Sequence, residues 1–180
     1  LDAITYRFFD DTQSMANAYE AGEVDVATAL SSTVMEAYEG TDDLFVTDQI
    51  ATRYIYMNLD VEPLNDVRVR EAINLAVNRE ELCQIVGSDT EPTYNLVAKY
   101  MKDKNTGEYF VDEADQPFEE DVAKAQELLA EAGYPDGEGF PELTYSYPTL
   151  EMDSDTAQVI QEQLKENLNI TINLEAQELQ

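Results

Sequence analysis

Apolar and polar residues alternate through residues 3–9, AITYRFF, and place Ile4, Tyr6 and Phe8 on one face, the period of two expected of a strand. DDTQ then offers capping side chains, and SMANAYEAG reads as a short helix closed by Gly22. VDVATAL (24–30) predicts a second strand, with Val24 and Val26 on one face. SST caps a helix through VMEAYEG, in which Val34 and Tyr38 lie one turn apart. DLFVTDQ (43–49) and RYIYMNL (53–59) predict third and fourth strands. Strands alternating with helices over tight connections predict a largely parallel sheet covered by helices.

Beyond Asp66, a helix cap, the period becomes helical, with Val69, Ile73, Ala76 and Val77 on one side. Asn78 and Glu81 have capping-box spacing and restart a helix through ELCQIV, which Gly87 ends. Residues 88–117 carry Pro92, Gly107 and Pro117 and no sustained period, and predict an irregular excursion. EEDVAKAQELLAEAG is an amphipathic helix with Val122, Ala125, Leu128, Leu129 and Ala132 on one face and Gly133 at its C-terminus. After the turn-rich YPDGEGFP come a strand, LTYSYP, and a helix with Ala157, Ile160, Leu164 and Leu168 inward. A closing strand, ITINLEAQ, has Ile170, Ile172, Leu174 and Ala176 on one face, with Asn169 read as its start. No solenoid repeat and no hinge-like linker divides the chain, so residues 1–180 are expected to form a single α/β domain.

The charge changes what such a fold can bind. Thirty-nine acidic residues face ten basic ones, a net charge of −29. Nucleic acid, whose phosphates need clustered Lys and Arg, is excluded on that ground, as is docking on an anionic membrane face. The simplest reading of the acidity is solubility with self-repulsion; an acidic face for a cationic partner is the alternative. No apolar run is long enough to span a bilayer. Cys83 is the one cysteine, so no internal disulfide can form, and there is no histidine to serve as a base or metal ligand.

Catalytic and metal motifs fail one by one. Gly133, Gly137 and Gly139 follow a helix and are interrupted by Pro135, which is not the geometry of a dinucleotide loop. Asp103, Asn105 and Gly107 begin like a calcium loop, but the glycine falls one place early and Ala114 stands where a bidentate Glu is needed. Cys83 has no activating partner and reads as a semi-buried helix residue. Neither a nucleophile elbow nor a phosphate loop is present. The chain is therefore not expected to be an enzyme, and no cofactor or metal is implied.

The stretch RYIYMNLDVEPLNDVRVREAINLAVNREELCQIV, residues 53–86, resembles the central signature of the oligopeptide/dipeptide-binding class (family 5) of bacterial extracellular solute-binding proteins. The matching residues are Asn58, Pro63, Asn65, Asp66, Val67, Arg68, Val69, Arg70, Ala72, Ala76, Asn78 and Arg79. Gly22-Glu23-Val24-Asp25 and AQELLAEAGYPDG, followed by a strand, a helix and NITINLEAQE, resemble the flanks in the same order. Asn78 stands where the family usually has Asp, an exchange of one capping residue for another. A Trp/Asp-containing loop that helps hold ligand in the family has no counterpart here, and the chain has no Trp.

The resemblance implies a periplasmic-binding-protein-like lobe, a mostly parallel sheet with helices on both faces. It would be the C-terminal-side lobe, incomplete, of a two-lobe receptor. It implies an ABC-importer component, extracytoplasmic, either periplasmic or anchored at the cell surface as a lipoprotein, that captures oligopeptides or dipeptides between two lobes and delivers them to membrane permease subunits. A monomer is expected. A non-peptide solute (nickel chelate, haem or sugar) is the alternative on the same fold. Open α/β sheets bind at the carboxyl ends of their strands, so the expected ligand contacts are Arg53, Tyr54, Tyr56 and Asn58, with Ser31 and Ser32. Arg53 suits a peptide carboxylate, and the tyrosines offer flat apolar surface with a polar tip. Alternation puts Tyr54, Tyr56 and Asn58 on one face and Arg53 with Ile55 on the other. Arg68 and Arg70, in the unfavourable first turn of a helix, read as structural and call for acidic partners.

Overall fold

Asp11, Asp66, Asn78 and Asp121 each stand one residue ahead of a helix and turn their side chains back onto a backbone N–H that has no partner inside the helix. A computed structural model describes residues 1–28, 30–47, 49–87, 90–110 and 119–178. The four capped helices are α1 (Thr12–Glu20), α3 (Val67–Leu75), α4 (Arg79–Val86) and α5 (Val122–Glu131). The caps accept from Ser14, Arg68, Glu81 and Lys124 at 2.6, 2.9, 2.8 and 2.9 Å. A shorter helix, α2 (Ser32–Tyr38), starts after Ser31, whose hydroxyl makes no capping bond.

Packing gathers the chain into two compact units, Leu1–Thr47 and Asp48–Gln180. In the first, α1 and α2 bury Ala16, Ala18 and Val34. Tyr19 and Tyr38 meet edge to face at 6.3 Å, and the Tyr38 hydroxyl donates to Glu20 at 3.0 Å. Gly22 closes α1 at φ 70, with its N–H on Tyr19 O and that of Glu23 on Ala18 O.

The second unit holds the main core. A parallel βαβ unit runs from β1 (Leu143–Pro148) through α6 (Glu151–Leu168) to β2 (Ile172–Gln177). Its register pairs Leu143 with Ile172 and Pro148 with Gln177. All four predicted inward residues of α6 are buried: Ala157, Ile160, Leu164 and Leu168. Ile160, Leu164 and Leu168 join Val69, Ala72, Leu75 and Ala76 of α3 and its C-terminus, Ala125, Leu128 and Leu129 of α5, and Ile170 and Ile172. Full burial of one of the leucines contributes roughly 1.5–3 kcal/mol. Gly133 closes α5 as predicted, at φ 102, its N–H on Ala130 O and the N–H of Tyr134 on Leu129 O.

Three local readings are corrected. The segments 3–9, 24–30, 43–49 and 53–59 form no ladder among the described residues, and the described sheet has two strands. Alternation supplies an apolar face, but a strand also needs a neighbour for its N–H and C=O groups. Instead Ile4, Tyr6, Phe8, Val26, Phe45 and Tyr56 stand exposed. Asn169 does not begin a strand; it ends α6 in the left-handed conformation (φ 53), a role its short amide side chain suits. The Asn78–Glu81 capping box is half formed. Asn78 caps α4, but Glu81 accepts from Gln163 Nε2 at 2.8 Å, and the backbone N–H of Asn78 donates to Gln163 Oε1 at 3.0 Å.

Of the excursion 88–117, the described residues 90–110 include a turn closed by an isolated antiparallel bridge between Lys102 and Tyr109. Residues 88, 89 and 111–117 lie outside the described set.

Candidate functional site

The extended segment that opens the family-like stretch presents its side chains as the alternation requires. The Tyr54 and Tyr56 rings meet at 4.8 Å and 61°, and their hydroxyls share a 2.6 Å hydrogen bond. That bond, followed by the charge of a neighbouring phenolate and slight burial, raises the Tyr54 pKa above its usual value. Tyr54 is 53% exposed and Tyr56 83%, so this pair is not core packing. It is a two-ring apolar surface tipped with hydroxyls.

Arg53 points elsewhere, donating to Asp153 Oδ1 at 2.7 Å in the first turn of α6. Its side chain is 63% exposed and that of Asp153 18%, so the pair is worth at most about 1 kcal/mol. An Asp at a helix N-terminus is favoured by the dipole, and this one also neutralises the guanidinium expected to meet a carboxylate. Tyr145, on β1, completes the cluster. Burial first, and the Asp153 carboxylate second, raise its pKa, while Arg53 opposes them. Sequence reasoning missed Asp153 and Tyr145, because a contact spanning a hundred residues leaves no local period. The hydroxyl of Thr52, beside Arg53, is buried without a hydrogen-bond partner among the described residues.

Asn58 holds a turn: its Oδ1 accepts from Asp60 N at 3.0 Å and its carbonyl from Val61 N at 3.2 Å. Ser31 and Ser32, half-buried at the start of α2, belong to the other compact unit. Arg53, Tyr54, Tyr56 and Asn58 are thus adjacent on one segment, with Arg53 directed away from the tyrosines.

The two hallmark arginines are structural in their contacts. Arg68 finds the acidic partner its position demands: Nε and Nη2 donate to Asp66, and Nη1 to Glu131 O at 2.7 Å, tying α3 to the end of α5. Arg68 in turn holds the Asp66 carboxyl down at a pKa of about 2. Arg70 uses carbonyls instead, donating to Leu64 O at 2.8 Å and Asn65 O at 3.1 Å. Both arginines anchor the 58–66 turn region to the helices behind it.

Other candidate chemistry does not materialise. Burial and then Glu91 push the Cys83 thiol pKa up, the opposite of nucleophile activation. Asp103 Oδ1 accepts from Asn105 N and Thr106 N at 2.7 and 2.9 Å, so its carboxylate builds a local turn. No group of three metal-ligating side chains occurs among the described residues, and no helix there is long and apolar enough to cross a membrane.

A sequence model of the middle region of bacterial extracellular solute-binding proteins, family 5, matches residues 1–180. The chain belongs to that family. A glutathione-binding protein of Salmonella typhimurium is 33% identical over 140 residues, covering 76% of this chain and 26% of that relative. An Escherichia coli K12 protein named "Probable deoxycholate-binding periplasmic protein" is 33% identical over 136 residues, 74% of this chain and 25% of its own length. Among solved structures, a periplasmic oligopeptide-binding protein of Borrelia burgdorferi superposes with TM-score 0.77 at 29% identity over 94% of this chain and 33% of that one. A peptide-bound oligopeptide-binding protein of Listeria monocytogenes gives TM-score 0.80 at 22% identity over 94% and 34%, a likeness of fold. The helices and the parallel sheet therefore form the periplasmic-binding-protein-like fold of these neighbours. The chain spans about a quarter of the length of its curated relatives and a third of the solved ones.

Proposed function

We propose that this chain supplies one lobe of the substrate-binding component of an ABC importer, and that the solute is an oligopeptide or dipeptide held in a cleft between two lobes. The observation that carries the reading is the exposed Tyr54–Tyr56 pair on an extended segment within a chain matched throughout by the family. An extended peptide is recognised by main-chain hydrogen bonds together with roomy pockets for its side chains. An extended stretch with two exposed aromatic rings offers both kinds of contact. Arg53 would meet a peptide carboxylate by exchanging it for Asp153. Asn58 adds its Nδ2 donor. The chain acts as a single α/β lobe, works as a monomer with membrane permease subunits outside the cytoplasmic membrane, and performs no catalysis.

A relative named for glutathione, itself a tripeptide, supports the peptide reading. A relative of equal identity named for deoxycholate keeps a non-peptide solute as the second reading. Native mass spectrometry on the protein purified gently from its own cells separates them. Co-purified peptides of mixed sequence are expected. One recurrent non-peptide mass would refute the peptide assignment and leave the receptor assignment in place.

A further inference from the structure

The charge of this chain exceeds anything the solute site requires. With 39 carboxylate-bearing residues against ten Lys and Arg, 29 carboxylates have no cationic partner even if every cation were paired. Among the described residues, ion pairs join Arg7 to Glu23, Arg53 to Asp153, Arg68 to Asp66, Lys99 to Glu91 and Lys124 to Glu127, each with at least one partner well exposed. Several cations face more than one acid. Lys124 has its pKa raised by Glu127 first, with Glu131 and Glu71 adding to it. On α6, Glu162 and Glu166 stand a turn apart beside Lys165, which spends a hydrogen bond on Asn169 Oδ1 at 2.9 Å. Like charges at that spacing destabilise a helix in dilute buffer.

The core opposing this repulsion is light. Among the described residues, seven of the eighteen buried apolar positions are alanine: Ala16, Ala18, Ala72, Ala76, Ala98, Ala125 and Ala157. Alanine removes little apolar area from water, so each contributes far less than a leucine. A light core under a strongly self-repelling surface holds only if the repulsion is screened. The screening length is about 10 Å at 0.1 M salt and about 3 Å at 1 M. Only the second is short enough to isolate carboxylates on neighbouring turns, about 5–6 Å apart at Cβ.

We infer that the compact state of this chain depends on molar salt: its acidic surface folds stably only where monovalent cations screen it, and the chain is built for a medium of high ionic strength. Salt acts on the folded state as a whole, by shortening the range of repulsion, and no discrete cation site is involved.

The test is urea unfolding followed by far-UV circular dichroism in 0.1, 0.5, 1, 2 and 3 M KCl, a salt chosen because it is a weak stabiliser of uncharged protein surface. The urea midpoint at 2 M KCl is expected to be at least about twice that at 0.1 M. A midpoint that moves by less than about a tenth overturns the inference, and so does the lack of a cooperative transition at every salt concentration. A second chain carries Glu36→Lys, Glu131→Lys, Glu138→Lys, Glu142→Lys, Glu162→Lys and Glu166→Lys, all exposed and none of them on the segment that carries the tyrosine pair. These reversals bring the net charge from −29 to about −17. Because repulsion scales with the square of net charge, its salt-dependent gain falls to about a third of the parent's. An unchanged gain in this variant refutes screening as the cause.

Discussion

Replacing Gln163 with methionine tests the contact that organises the α3–α4 junction. Gln163 is 6% exposed and makes three hydrogen bonds across a sequence distance of more than eighty residues. Its Oε1 accepts from Asn78 N at 3.0 Å; its Nε2 donates to Asn78 O at 3.2 Å and to Glu81 Oε2 at 2.8 Å. Methionine nearly preserves volume, so the cavity contribution is small. What remains is a backbone N–H, a backbone C=O and a carboxylate that each lose a partner. An unsatisfied buried group costs about 1–3 kcal/mol; Glu81 is exposed enough to recover water and Asn78 O still accepts from Leu82 N at 3.1 Å, so only the Asn78 N–H is orphaned and the expected loss is about 1–3 kcal/mol. With a urea slope of about 2 kcal/mol/M, the midpoint falls by about 0.5–1.5 M. The assay is urea unfolding in 2 M KCl, where the parent is expected to be fully folded. A loss below about 0.5 kcal/mol would mean that α4 is capped adequately by Asn78 Oδ1 alone, and the argument would fail. Gln163→Glu is a sharper companion. It keeps an acceptor for Asn78 N–H but sets a second carboxylate against Glu81, raising the pKa of the pair. Its deficit should therefore be largest at neutral pH and shrink as the pH falls toward 4.

Further predictions concern a charge, a backbone contact and the solute site. Asp66 titrates at about 2 because Arg68 holds its charged form, so its contribution is present above about pH 4 and is lost as the pH falls toward 2; Asp66→Asn should flatten that limb of an acid-unfolding curve followed by circular dichroism. Gly137→Ala should cost more than about 2 kcal/mol in urea unfolding, since φ is 74 and a Cβ would sit 2.5 Å from Leu168 O, a backbone atom that cannot yield. Tyr54→Ala and Tyr56→Ala should each weaken binding of a co-purified peptide about tenfold by calorimetry, with the unfolding midpoint unchanged because both rings are exposed; unchanged affinity in both would remove the pair from the site.

The sequence revealed those parts of the fold whose signals are local. The buried faces of α5 and α6 follow a period of 3.6, and Ala125, Leu128, Leu129, Ile160 and Leu164 lie where that period puts them. Caps at Asp11, Asp66 and Asn78 are equally legible, because a capping side chain bonds within three residues of itself, whereas Asp121, read as part of its helix, stands just ahead of it as the cap. What escaped was which distant residues meet, beyond the parallel pairing of β1 with β2. Alternation in 3–9 and 53–59 describes a face without saying whether a neighbouring strand exists to pair with it. Glu81 has the right spacing for a capping box, yet Gln163 from α6 takes its place at Asn78 N–H. At the candidate site the tyrosine pair was legible, since alternation forces Tyr54 and Tyr56 together, whereas the pairing of Arg53 with Asp153 was not.

That pairing bears on how a solute can be recognised. If the chain works in molar salt, attraction between its acidic surface and a cationic solute is extinguished beyond about 3 Å, and long-range steering contributes nothing to capture. At the proposed site the contacts that would survive are those at van der Waals and hydrogen-bond range: the rings of Tyr54 and Tyr56, their hydroxyls, and the main chain of that segment. Arg53 and Asp153, at 2.7 Å, are in direct hydrogen-bond contact, with no room for an ion between them, and keep that bond in salt. A solute carboxylate must then displace Asp153 from Arg53, an exchange of one short contact for another with little net gain. Affinity should accordingly rest on apolar and main-chain contacts and vary little between 1 and 3 M KCl. Titrating a neutral and a terminally charged peptide of equal length across that range checks this, and an affinity for the charged peptide that falls tenfold or more over the range would show that charge, not shape, holds the solute.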